Sequence, residues 1–145
     1  MKKFTHLLRV RYSECDAQKV VFNAKYAEFV DVAATEFIRE IWGNYNDVLA
    51  QGLDSQVVSL SLTWKAPAKF DDVLAIEVSV THIGTSSYTL EFKISDHATG
   101  NQLTTAIVVY VMVNATRLTK VAIPDDLRRE LNRGASGVIV NHAGI

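Results

Sequence analysis

The sequence predicts an α+β domain in which one long helix lies against an antiparallel sheet of about five strands. Three observations carry that prediction. Tyr26, Phe29, Val30, Ala33, Phe37, Ile38 and Ile41 recur at three- and four-residue steps, an apolar stripe on one helix face. One alternating apolar–polar segment precedes the stripe and four more follow it in close order, each with the period of a strand. The stripe is wide and long, so a large apolar surface must cover it, and a sheet does so most economically.

Taken in order, Phe4, His6, Leu8, Val10 and Tyr12 alternate with Thr5, Leu7, Arg9 and Arg11, the pattern of a half-buried strand. A loop carrying Asp16 leads to the long helix, expected from about Ala24 to Trp42 with Asn23 as its N-cap. Gly43 to Asp54 reads as a connection with one short helical turn. The next strand carries Val58, Leu60, Leu62 and Trp64, and Pro67 ends its regular pairing or marks an edge. Leu74 to Val80 and Tyr88 to Ile94 alternate cleanly, separated by a turn around Gly84. A turn at Gly100 then leads to a strand from about Leu103 to Val113, apolar on both faces from Ala106 onward, which places it centrally or at an interface. Pro124 at N1 opens a short helix that Gly134 closes. The signals from Ala135 to Ile145 are weak, so residues 135–145 are expected to form a loose tail on a single domain spanning 1–145.

Composition excludes several function classes. A net charge of −1 with no polybasic run gives no case for nucleic acid. No window approaches the length of uninterrupted apolar chain that a membrane span needs. The N-terminal MKKFTHLLRVRY lacks a sustained apolar segment and a small-residue cleavage site, which predicts no signal peptide. The single cysteine, Cys15, rules out an intrachain disulfide and fits a reducing, cytoplasmic setting. His6, His82, His97 and His142 are scattered without ligand spacing, so no metal site is expected.

The chemistry concentrates in Tyr12–Tyr26. A carboxylate at Asp16, held beside a helix start, lies near oriented N–H groups and the positive end of the helix dipole. That combination suits attack on a polarised carbonyl. Glu14 reads as a surface acid that shares the Asp16 face in extended chain. Cys15 has no assured histidine partner and reads as a small buried residue rather than a nucleophile.

Arg9-Val10, Cys15-Asp16, Val20-Val21 and Tyr26, with the later Trp64–Asp72 segment WKAPAKFDD, identify a resemblance. The chain resembles the hotdog-fold acyl-CoA thioesterases, specifically the 4-hydroxybenzoyl-CoA thioesterase family. The resemblance implies a homodimer or homotetramer whose sheets join edge to edge, with active sites at the subunit interface. It implies Asp16 as the nucleophile or general base, and the backbone amide around Asn23 as the oxyanion donor. Tyr26, Val58 and Ser59 are then the residues that meet the acyl group, and Lys65, Lys69, Arg117 and Lys120 are candidates for the phosphates. The substrate would be acyl-CoA, with coenzyme A part of that substrate and no separate cofactor. The chain departs from the family pattern at Lys19, where many members have Gly or Ala, and at Asn23, where many have His or an aromatic. A non-catalytic acyl-CoA-binding module is the alternative from a different class. A hotdog dehydratase is the other, and the Asp-x-x-x-x-His spacing of one such branch is absent.

Overall fold

A computed structural model describes residues 3–145; the part of the signal-peptide reading that rests on Met1 and Lys2 lies outside them. The N-terminal alternation forms β1 (Phe4–Arg9), and the helical stripe forms α1 (Lys25–Trp42). A short α2 (Tyr45–Ala50) leads into β2 (Leu53–Trp64), followed by β3 (Val73–Ile83), β4 (Ser87–Asp96) and β5 (Gln102–Asn114). Last come α3 (Asp125–Arg133) and β6 (Ile139–His142). The sheet order is β2-β5-β4-β3-β1-β6.

Two expectations about the sheet are corrected. It has six strands rather than five, and it is mixed, because β6 runs parallel to β1. The tail from Ala135 is therefore not loose: Ile139–His142 pairs with Thr5–Leu8, and Ala143 is buried. Four residues with a single apolar pair fall below the length at which alternation can be read.

The apolar stripe of α1 is covered as the periodicity requires. Tyr26, Phe29, Val30, Ala33, Phe37 and Ile41 are buried against alternate residues of the strands, among them Leu74, Ile76, Leu90, Phe92 and Ile94. Phe37 meets Phe4 edge to face with ring centroids 5.4 Å apart. The long edge strand β2 differs: Val57, Val58 and Leu60 are 54%, 60% and 43% exposed. Pro124 is the N-cap of α3 rather than N1, with ψ at 148°, and Gly134 closes that helix at φ 65°.

His6 points into this core at 1% exposure, a polar side chain on an otherwise apolar strand face. Its Nε2 lies 3.0 Å from Nδ1 of His142 on β6, while its own Nδ1 has no partner. Burial, then the neighbouring His142, pushes His6 down to about 4 from 6.5, against an opposing pull from Glu36 on α1. Between those two values the unfolded chain holds more protons than the folded one, so stability rises with pH. The contribution is complete above the unfolded value and is lost as pH falls toward the folded one. Its size is on the order of 3 kcal/mol at ~1.4 kcal/mol per pKa unit. Urea midpoints measured at about pH 7 and about pH 4.5 should separate strongly in the wild type and much less in His6→Gln.

Candidate active site

The Asp16 loop is a small hairpin. A 3-10 turn at Tyr12–Glu14 delivers the chain to Cys15, which bridges Val21. Lys19 N–H donates to the Asp16 carbonyl at 2.9 Å, and Asp16 N–H donates to the Val20 carbonyl at 2.9 Å. The Asp16 side chain holds the turn as well, because its Oδ1 accepts the Gln18 N–H at 2.8 Å. The turn closes on a left-handed residue, and Lys19 takes that position at φ 66°. Lys19, a departure from the pattern of the family that the chain resembles, thus holds a backbone conformation that favours glycine. Lys19→Gly should raise stability by about 0.5–1 kcal/mol, after the added flexibility of the unfolded chain is set against the relieved strain. Thermal denaturation reads that gain directly.

Glu14 is not a surface acid. It is 3% exposed, and its carboxylate accepts the Arg11 backbone N–H and the Arg11 guanidinium, each at 2.7 Å. It braces the turn ahead of Asp16 and is committed to that role. Cys15 is not activated either: burial, then Asp16, pushes its thiol up.

At the start of α1 the expected cap is corrected. Ala24 occupies the N-cap position, and Asn23 makes no side-chain cap bond. Its carbonyl accepts the Tyr26 N–H at 3.4 Å, while Lys25 N–H donates to Phe22. Among the described residues, the N–H groups of Asn23 and Ala24 have no acceptor. Two free donors at the positive end of an 18-residue helix are suited to a developing oxyanion.

Asn23 and Tyr26 come together with Val21, Trp64, Lys65 and Pro67 around a cavity of about 300 Å³. Tyr26 is buried, meets Trp64 edge to face at 6.0 Å, and accepts the Ala68 N–H on its phenolic oxygen at 3.1 Å. It therefore ties the helix start to the Trp64–Phe70 loop. Tyr26→Phe would leave that buried N–H unpaired and should cost about 1–3 kcal/mol in equilibrium unfolding.

Val58 and Ser59 do not join this cavity within one chain. They lie on β2 about 20 Å and about 17 Å from Trp64, at about 3.3 Å per residue. The register shifts between Val57 and Ser59, so Val58 is the extra residue of a bulge, whereas Ser59 pairs with Val109 on the sheet face turned away from α1.

A larger cavity of about 470 Å³ lies between the second half of α1 and the first half of β2. Sequence reasoning missed it. Tyr45 donates to Asp54 at 2.7 Å, Tyr88 donates to Ser55 at 2.8 Å, and Tyr88 stacks on Tyr110 with centroids 4.9 Å apart. Burial and the Asp54 carboxylate push Tyr45 up to about 12, and burial likewise raises Tyr88 and Tyr110. These tyrosines fall in step with the apolar pattern, and only their need for hydroxyl partners could have singled them out. Among the described residues, no group of three His, Cys, Asp or Glu side chains converges to hold a metal.

Comparison with known proteins follows this geometry. Residues 10–131 match the model of the thioesterase-like superfamily. The chain is 28% identical over 126 residues to the acyl-CoA thioester hydrolase YbgC of Escherichia coli O6:H1, covering 87% of this chain and 93% of that protein. The acyl-CoA thioesterase YbgC of Haemophilus influenzae is also 28% identical, over 86% of this chain and 91% of its own. Among solved structures, a 1,4-dihydroxy-2-naphthoyl-CoA thioesterase from Synechocystis superposes with a TM-score of 0.82 at 18% identity, over 89% of this chain and 95% of that one. That last likeness is one of fold, the hotdog fold.

Proposed function

We infer that this chain, which belongs to the thioesterase-like superfamily, hydrolyses acyl-CoA thioesters to the free acid and coenzyme A. The observation that carries the site assignment is the pair of unpartnered N–H groups at Asn23 and Ala24, at a helix start where Asn23 lines the cavity and the chain arrives from the Asp16 hairpin. In this reading the two N–H groups hold the thioester oxygen as it becomes an oxyanion. Asp16, with Oδ1 engaged by Gln18, uses its other oxygen to take a proton from the attacking water. Collapse of the tetrahedral species expels the coenzyme A thiolate, which takes up that proton. No cofactor enters these steps.

The site is completed by a second copy of the chain. β2 is a long sheet edge with exposed apolar residues, the kind of edge that pairs. Antiparallel self-pairing centred on Ser61, which sets Leu60 opposite Leu62, places Val58 of one copy beside Trp64 of the other. A two-fold axis normal to the sheet keeps both α1 helices on one face. The helix-start cavity of one copy then meets the tyrosine-lined cavity of the other, and the acyl group lies across the junction, against Tyr26 and Val58. Ser59, on the opposite face, is left out of that path.

Thiol release from a panel of acyl-CoA esters of different chain length and aromaticity tests the reading. Turnover of at least one ester supports it. Tight binding of acyl-CoA without thiol release across the panel would replace it with a non-catalytic binding module. Among the described residues, no helix is long and apolar enough to cross a membrane.

A further inference from the structure

The surface beside the Asp16 hairpin carries an exposed aromatic pair that the site above does not use. Tyr12 is 82% exposed and Phe70 53%, yet their rings meet edge to face with centroids 6.0 Å apart. Two exposed aromatics held against each other in water present a ready stacking face. The charges around them are unevenly engaged. Arg9 pairs with Asp71 at 3.3 Å and Arg11 with Glu14 at 2.7 Å. Asp72 accepts the Lys69 backbone N–H at 2.9 Å. Lys19 and Lys69 are exposed and, among the described residues, have no ion-pair partner. Val20 bridges Lys69, which brings the backbones of Lys19 and Lys69 onto neighbouring extended segments.

We propose that Tyr12 and Phe70, flanked by Lys19 and Lys69, form a binding site for an adenine nucleotide, here the 3′-phospho-ADP end of coenzyme A. The purine stacks on the aromatic pair, and the phosphates lie against the two lysines. Of the lysines and arginines singled out in the sequence, Lys69 is thereby retained. Lys65 donates to Gln102 at 2.9 Å, and Arg117 follows β5 in a turn at the end of the strands opposite the hairpin. The spacing suits the rest of the carrier. Asp16 bonds to Val20 and Val20 pairs with Lys69, two ladder steps or about 10 Å. The pantetheine arm is about as long as four residues of extended chain, roughly 14 Å. It can therefore join a nucleotide at Phe70 to a thioester at the start of α1. This assignment rests on the thioesterase reading for the identity of the carrier, and it selects coenzyme A over a carrier protein.

The test uses 3′,5′-ADP as a direct probe and compares hydrolysis of an acyl-CoA with that of the matching acyl-pantetheine, which lacks the nucleotide. Wild type should bind 3′,5′-ADP, more weakly as salt rises, and Tyr12→Ala and Phe70→Ala should each weaken that binding about tenfold. Each variant should raise KM for acyl-CoA by a similar factor at unchanged kcat and leave acyl-pantetheine hydrolysis as it was. Absence of 3′,5′-ADP binding, or an equal loss on both thioesters, overturns the proposal. So does conversion of the oligomer to smaller species by either variant, which would make the patch a contact between copies. If wild type binds 3′,5′-ADP through Tyr12 and Phe70 but cleaves neither thioester, the nucleotide site stands and the hydrolase reading falls.

Discussion

Asp16→Asn is expected to lower kcat for acyl-CoA hydrolysis by about 10²–10⁴, the range for loss of a positioned general base. The substitution is selective for chemistry. Oδ1 of Asp16 accepts the Gln18 N–H, and an asparagine carbonyl oxygen can accept the same bond. The hairpin, the left-handed Lys19 and the placement of Asn23 should therefore survive, with an unchanged thermal midpoint and unchanged acyl-CoA binding. Asp16→Ala removes the turn bond as well, and should lose some stability in addition to activity. Full activity in Asp16→Asn, with the fold intact, would move the general base elsewhere. Glu14 offers no replacement, since both its oxygens are engaged by Arg11.

The second large effect is expected from Leu60→Lys on the open edge of the sheet. Leu60 is 43% exposed in the single chain and sits near the centre of the self-pairing inferred for β2. Two copies would bring two lysines together near the two-fold, unpaired and stripped of water. Light scattering should show the mass fall to that of one chain, while circular dichroism shows the fold retained. Activity should fall at least about 100-fold, in line with the cost of dismantling the positioning of a reacting group. A monomeric Leu60→Lys with wild-type turnover would show that one chain holds a complete site.

Much of this was legible in the residues, for identifiable reasons. The α1 stripe is long enough for its period to stand out, and the expected start at Ala24 misses by one residue. Strands β3 and β4 alternate cleanly because one face is core and the other is not. β6 escaped because it is held mainly by ladder bonds to β1 and by the His6–His142 pair, neither of which leaves a periodic trace. At the site, Asp16 and Asn23 were marked by their place between strand and helix. The unpaired amide of Asn23 was not visible, because a free N–H depends on where every neighbouring acceptor points. Glu14 misled for a related reason: a carboxylate on a loop is ordinarily solvated, and only the fold shows Arg11 closing over it. The Val57–Val58 bulge was hidden by the regular alternation on either side, which it interrupts by one residue.

The two margins of the sheet are unlike, and this bears on how large an assembly can grow. At one margin β2 offers 12 residues of ladder; at the other, β6 offers four. Beyond β6 the chain turns over its own end, with Asn141 donating to the Ile145 carbonyl and accepting from Ala143 N–H. Once two copies join through β2, the combined sheet is bounded on both sides by these short, self-occupied ends. In that proposed pairing strand addition stops at two, because a four-residue β6 leaves too little ladder for the endless ribbon that two long open margins would permit.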